Sequence, residues 1–200
     1  MSGTTAIRPA AQGNGTFSTQ AEAVGAGETS IRRGAFNVAV SLEDELPGLP
    51  TTIRVSRNGR LFERSFDFGL NATVLWSPDT SRFAITGNDG SAKGRFRTAV
   101  VTLSDDTLGW LDLTRSIEQV FGQPPRCDHP DAPDVGAITW RSNRRLVVAA
   151  QIDNDAKCDS SSVFSVYEVD VVAGRVEHSY GRLEARHRWG SLFGTKLHTN

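Results

Sequence analysis

Apolar and polar residues alternate along much of this chain with a period of two, the spacing of a strand with one buried face. Phe36, Val38, Val40 and Leu42 fall on one side of a predicted strand over 35–42, with Asn37, Ala39 and Ser41 on the other. Residues 43–50, with Pro47, Gly48 and Pro50, break the pattern as a loop. Segments 53–57 and 60–68 then flank Asn58-Gly59. Both of those residues tolerate the positive φ of a type I′ turn, so the pair predicts a hairpin. In its second arm Phe62, Arg64, Phe66 and Phe68 share a face, and Arg64 snorkels or pairs at the rim.

The middle of the chain continues in short strands. Residues 72–76 are apolar, Ser77-Pro78-Asp79-Thr80 is a turn, and 82–86 and the β-branched stretch 96–103 follow as strands around an Asn88-Asp89-Gly90 loop. One helix is expected over 115–121, with Ile117, Val120 and Phe121 on one side, a cap at Thr114 or Ser116, and Gly122 and Pro124 ending it. After a Pro/Asp-rich loop over 123–134 the pattern returns: strand 135–140, turn 141–144 and apolar strand 145–152. Loop 153–162, strand 163–172, the Ala173-Gly174 turn and strand 175–180 complete the unit. The tail from 181 holds Trp189, Leu192 and Phe193, and is expected to pack a last strand or apolar arm onto the body. The fold class is therefore all-β and antiparallel, with one short helix near 115–121.

Residues 1–30 are mostly Gly, Ala, Thr and Ser, with large apolar side chains only at Met1, Ile7, Phe17 and Val24. That composition predicts a flexible leader or tether, followed by a single β domain over 31–200. The alternative is an ordered β-arm anchored by Phe17. The stretch lacks the apolar core of a signal peptide.

Two segments align. Val74-Leu75-Trp76-Ser77-Pro78-Asp79-Thr80-Ser81-Arg82-Phe83-Ala84-Ile85 lies against Ile138-Thr139-Trp140-Arg141-Ser142-Asn143-Arg144-Arg145-Leu146-Val147-Val148. The first resembles the WD40-like (PD40, TolB-type) β-propeller repeat, an apolar strand ending in Trp-Ser-Pro-Asp. Leu111-Asp112-Leu113-Thr114 and Val169-Asp170-Val171-Val172-Ala173-Gly174-Arg175 are similar to its later Asp-Leu-Thr-Gly-like turn. The resemblance implies propeller-blade-like sheets, in which the Trp forms an apolar plate between sheets. Trp140, however, lacks the Pro-Asp turn, and its spacing of 64 residues from Trp76 exceeds the ~40–45 of a blade. A closed propeller needs about four blades, and two and a half to three are readable. A partial or atypical propeller and a sandwich both stay open.

Charge is balanced, 22 Lys and Arg against 23 Asp and Glu, which argues against binding nucleic acid through phosphate charge. The longest apolar runs, such as 146–150, fall far short of the ~20 residues that span a bilayer. Cys127 and Cys158 have polar, loop-like flanks, and they sit just before and just after the two strands of an expected hairpin. Both loops then leave the same end, within reach of a disulfide worth about 3 kcal/mol. Such a bond implies a periplasmic or extracellular setting, with the targeting segment absent from this sequence. Two free thiols or a metal site are the alternatives.

No catalytic or cofactor motif is present. His129, His178, His187 and His198 lack metal-ligand spacing, and no Gly-x-Ser-x-Gly elbow occurs. Asp153, Asp155 and Asp159 form a weak cation candidate, without the glycine and distal glutamate of an EF-hand, and read first as a solvated acidic loop. Arg141, Arg144 and Arg145 cluster beside Trp140, and Arg182, Arg186 and Arg188 beside Trp189. Each cluster is a solvated face or a binding hot spot. The expectation is a non-enzymatic exported binding module without cofactor, an inhibitor or immunity-type protein acting on a secreted enzyme. Its protein partner would be engaged through Trp140, Arg141, Arg144, His129 and Asp155. The alternatives are a carbohydrate-acting or carbohydrate-binding domain with an acidic loop site, at Asp153 or at Asp131 and Asp134, and a partial propeller completed by oligomerisation.

Overall fold

The computed structural model describes residues 17–23, 29–33, 36–42, 51–57, 60–66, 72–88, 95–104, 107–121, 132–152 and 163–197. Among these residues, strand β1 (Glu22–Ala23) joins the second of three antiparallel sheets. The first sheet runs β2 (Thr29–Arg33), β3 (Phe36–Leu42), β4 (Thr51–Arg57) and β5 (Arg60–Phe66), in that spatial order. The second runs β1, β6 (Thr73–Trp76), β7 (Arg82–Asn88), β8 (Phe96–Leu103) and β9 (Leu108–Asp112). The third runs β10 (Asp134–Trp140), β11 (Arg145–Ile152), β12 (Val163–Asp170) and β13 (Arg175–Gly181). β1 aside, every strand pairs with its neighbours in sequence, so each sheet is a meander that needs only short connections. The protein is all-β and antiparallel, as the period-two pattern predicts. The Asn58-Gly59 turn lies outside the described residues, but β4 and β5 pair in the register that it requires, Arg57 opposite Arg60.

The second sheet lies between the other two because its middle strands, β7 and β8, carry apolar residues on both faces. Val74, Phe83, Ile85, Ala99 and Val101 of the second sheet meet Ile53 and Val55 of the first. Arg64, expected at a rim, lies 5.1 Å over the Trp110 ring at this junction. On the opposite face, Leu75, Ala84 and Val100 meet Val135, Leu146, Val148, Tyr167 and Val169 of the third sheet. Helix α1 (Leu113–Glu118) adds Leu113 and Ile117 to this layer. It begins two residues earlier than predicted. Asp112 is its cap, accepting the Arg115 N–H at 3.3 Å, while the Thr114 hydroxyl faces Thr98 instead.

The outer face of the third sheet is covered not by another sheet but by a helix and an N-terminal arm. The tail, expected as a strand or arm, forms α2 (Arg182–Trp189) and a 3₁₀ turn over Gly190–Leu192. Good helix formers and a Glu184–Arg188 pair at 2.8 Å support α2, and its Ala185 and Trp189, four apart, turn inward. The leader expectation fails for the described part of residues 1–30. Phe17 is 1% exposed, and its ring meets Phe96 edge-on at 5.3 Å. The Ser18 hydroxyl donates to Ile138 O at 2.6 Å, and β1 pairs with β6. One large aromatic is enough to seat this segment because a slot is built for it: a Cβ on Gly136 would lie 1.9 Å from Phe17 Cγ.

Among the described residues β10 is an edge strand, and unpaired edges are a liability. Three hydroxyl groups close it. Thr98 Oγ1 donates to Val135 O at 2.8 Å, and Thr86 Oγ1, which accepts the Ala137 N–H at 3.1 Å, lies 2.9 Å from Thr98 Oγ1. With Val135 O taking the Thr98 proton, Thr86 donates to Thr98, so one chain of donors runs through the buried interface. Ser18, already described, completes the edge.

Candidate functional site

The β10–β11 turn, 141–144, projects from one end of the third sheet beside a cleft of about 510 Å³. Strand alternation decides what lines it. On β12, Tyr167 and Val169 face the second sheet, while Phe164, Val166, Glu168 and Asp170 face outward. Phe164 and Val166 lie under α2 and the arm; Glu168 and Asp170 lie beyond that cover, yet are only 3% exposed. Arginine side chains fold over them.

Asp170 is the tightly held member. Arg144 Nε and Nη2 reach Asp170 Oδ2 at 2.7 and 2.6 Å. Its Oδ1 accepts the Val172 and Ala173 N–H groups at 2.9 and 3.0 Å. The Arg144 guanidinium first, then these N–H groups, hold the Asp170 carboxyl well below the usual carboxylate range. The turn closes with Gly174 N–H donating to Asp170 O at 2.8 Å, and Gly174 sits at φ +66°, where a side chain would be strained. Glu168 is held more loosely. Arg141 Nη1 approaches its Oε2 at 3.4 Å and Arg145 Nε its Oε1 at 3.7 Å; the Tyr180 hydroxyl lies 3.3 Å from Oε2. Burial, then the Glu168 charge, pushes the Tyr180 hydroxyl above its ordinary pKa, so it stays a donor. Arg145 Nε also meets Glu177 at 3.0 Å.

The turn is braced from behind. Asn143 Oδ1 accepts the Asp79 N–H at 3.1 Å, and Arg82 Nη1 donates to Asn143 O at 3.0 Å. Asp79 is itself fixed, its Oδ1 accepting the Ser77 hydroxyl and the Ser81 N–H at 2.8 and 3.0 Å. Burial opposes its charge, but these donors prevail and lower its pKa. The Ser-Pro-Asp turn of one unit thus supports the arginine turn of the next.

The comparisons give no lead. No protein-family model, curated protein or solved structure significantly matches the chain. The reading of the cleft therefore rests on its own geometry.

Of the residues expected to bind a partner, Arg141 and Arg144 stand together at the cleft, with Arg145 beside them. Trp140 does not join them. Alternation turns it toward the second sheet, where its Nε1 donates to Leu75 O at 3.0 Å. His129 and Asp155 lie outside the described residues, as do Cys127, Cys158, Asp131, Asp153, Asp159 and His198. The hairpin end nearest in sequence to 122–131 and 153–162 is the Asp134–Gln151 pair, at the opposite end from the arginine turn. Over a strand of seven residues, that is roughly 20 Å away. Asp134, named with the acidic loops, serves structure: its Oδ1 accepts the Phe96 N–H at 2.8 Å, and Lys196 pairs with it at 3.1 Å. Of the second arginine cluster, Arg188 lies 4.9 Å over the Tyr180 ring and pairs with Glu184, while Arg182 lies 5.9 Å over Phe164. Glu168 and Asp170 are the residues that sequence reasoning missed. Their signal was two carboxylates two apart on the apolar strand 163–172.

Proposed function

We propose that this chain is a non-enzymatic binding module that engages a protein partner through the cleft at the arginine turn. The observation that carries this reading is a set of half-exposed guanidinium groups fixed by buried carboxylates on a braced strand end. Arginine is enriched at binding hot spots. Holding its side chain before contact reduces the ordering cost of association. An exported setting, a Cys127–Cys158 disulfide and an inhibitor or immunity-type role belong to the same reading. Completion by a further copy is disfavoured. A sheet added to the outer face of the third would bury Glu168, Asp170 and their arginines together, at a desolvation cost of several kcal/mol per ion. At the other end of the stack the β4 and β5 side chains turned away from the second sheet are Thr52, Arg54, Ser56, Leu61, Glu63 and Ser65, mostly polar, with Arg54 Nε 2.7 Å from Glu63.

The test is site-specific photo-crosslinking in extract of the source organism, with the probe at Ser142 and a control probe at Glu63. A discrete adduct from Ser142 alone, abolished by Arg141→Glu with Arg144→Glu, is the expected result. Identical adduct patterns from both positions would sink the reading.

A further inference from the structure

We infer that the ligand group taken by this cleft is a carboxylate on an acidic peptide segment, with Arg175 as its anchor. The inference rests on the protein-binding reading and deepens it. Among the described residues, four guanidinium groups line the cleft, those of Arg141, Arg144, Arg145 and Arg175, against the three carboxylates of Glu168, Asp170 and Glu177. One positive charge is left over. It belongs to Arg175: Asp170 and Glu168 hold Arg144 and Arg141, and Glu177 holds Arg145, whereas the Arg175 side chain has no ion pair or hydrogen bond with a described residue. It stands on β13 opposite Asp170, exposed at the mouth of the cleft.

The paired arginines still have donors to give. Among the described residues, Arg144 commits Nε and Nη2 to Asp170 and leaves its Nη1 amino group uncommitted, and Arg141 commits only Nη1. A guanidinium has five N–H donors in a rigid fork, a geometry that matches a carboxylate or a phosphate. Charge chooses between these. A monoanion neutralises the single excess charge, whereas a phosphate dianion overshoots it beside three fixed carboxylates. The buried floor cannot move away to relieve that repulsion, because Asp170 is locked by two backbone N–H groups and Arg144.

Calorimetric titration of the full chain tests this with an acetylated hexapeptide whose one acidic residue is a C-terminal glutamate, as free acid and as C-terminal amide. Its Gln counterpart, also amidated, and inorganic phosphate are the comparisons. Binding of the Glu peptides, absent for the amidated Gln peptide and weakened by added salt, is expected. Arg175→Gln, at an exposed position outside the ion-pair network, should raise Kd roughly tenfold, the scale of one charge-assisted contact in a partly solvated site. Equal affinity of both Glu peptides assigns the carboxylate to side chains, and a strong preference for the free acid assigns it to the chain terminus; both uphold the inference. Tighter binding of phosphate, equal binding of the Gln peptide, or an unchanged Kd in Arg175→Gln overturns it. Ser142 adducts without Glu-peptide binding overturn the carboxylate assignment but leave the protein-binding reading standing. Arg175-dependent peptide binding without adducts does the reverse.

Discussion

Replacing Gly136 by alanine adds one methyl group, and the slot beneath Phe17 has no room for it. The new Cβ would lie 1.9 to 2.4 Å from three ring atoms, so either β10 shifts or the ring leaves. Overpacking of this kind costs about 1–3 kcal/mol. The ceiling is set by the ring itself, because the chain can always release Phe17. A fully buried phenylalanine cut to alanine costs about 3–5 kcal/mol, part of it the edge-on contact with Phe96. Phe17→Ala should therefore destabilise by about 3–5 kcal/mol, and Gly136→Ala by less. The double variant should fall within about 1 kcal/mol of Phe17→Ala alone, since the methyl then occupies space that the ring has vacated. The coupling is about the whole cost of Gly136→Ala, well above the few tenths seen for independent sites. Equilibrium urea unfolding followed by circular dichroism measures all four corners of the cycle. Strict additivity would refute the steric account, and a cost below about 1 kcal/mol for Phe17→Ala would restore the free leader that composition predicts.

Three further tests probe the other joints. Thr98→Val leaves the Val135 carbonyl and the Thr86 hydroxyl without their buried partner and should cost about 2–4 kcal/mol, while Thr98→Ser should cost only about 1 kcal/mol; comparable urea midpoints for the two would count against the hydroxyl chain. Trp140→Phe breaks the Nε1 bond to Leu75 O, whereas Trp76 Nε1 is buried with no hydrogen-bond partner among the described residues, so Trp76→Phe should be the milder change by about 1–2 kcal/mol in the same assay. Asp170 has a depressed pKa in the fold, so its charge contributes stability fully present above the unfolded value of about 3.9 and lost as the pH falls below it. Asp170→Asn should then lower stability at pH 7 and flatten the decline between about pH 5 and pH 2, and a parallel decline in both proteins argues against the Arg144 pairing.

Much of the strand framework was legible because packing enforces it: one buried face gives period-two alternation, as on β4, and two buried faces give apolar runs, as on β7 and β11. The 96–103 strand appears with its predicted bounds, and 135–140 and 145–152 within a residue. What escaped depends on partners distant in sequence. Phe17 is a lone apolar residue in a polar stretch, and only the missing side chain at Gly136, far along the chain, reveals its seat. Helix α2 was hidden by charge: of its eight residues only Leu183, Ala185 and Trp189 are apolar, and Leu183 is exposed. The arginine turn was readable as a cluster. The carboxylates that give it form were not, because within 163–172 they count as polar interruptions rather than as a floor.

The register of the two Trp units shows how the cleft arises. Ala84 pairs with Val100 in the second sheet, and Val147 pairs with Glu168 in the third; Arg82 pairs with Thr102, and Arg145 with Asp170. At the position where the second sheet presses a buried valine against its neighbour, the third sheet therefore carries a carboxylate. In a stack of repeated sheets the last face must become polar or be covered, or it invites another copy. This chain uses both devices on one face, with Phe17, α2 and Leu197 over one half and charge over the other. The Val-to-Glu exchange that ends the stack leaves buried anions, buried anions recruit the arginines of the adjoining turn, and those arginines are then held where a ligand can meet them. Substituting Glu168 by valine should thus free Arg141 and remove one negative charge from the cleft, tightening the acidic peptide at low salt while exposing an apolar patch that promotes self-association. Light scattering that finds a monomer at every concentration, together with unchanged peptide affinity, would break the link between how the stack ends and what the cleft binds.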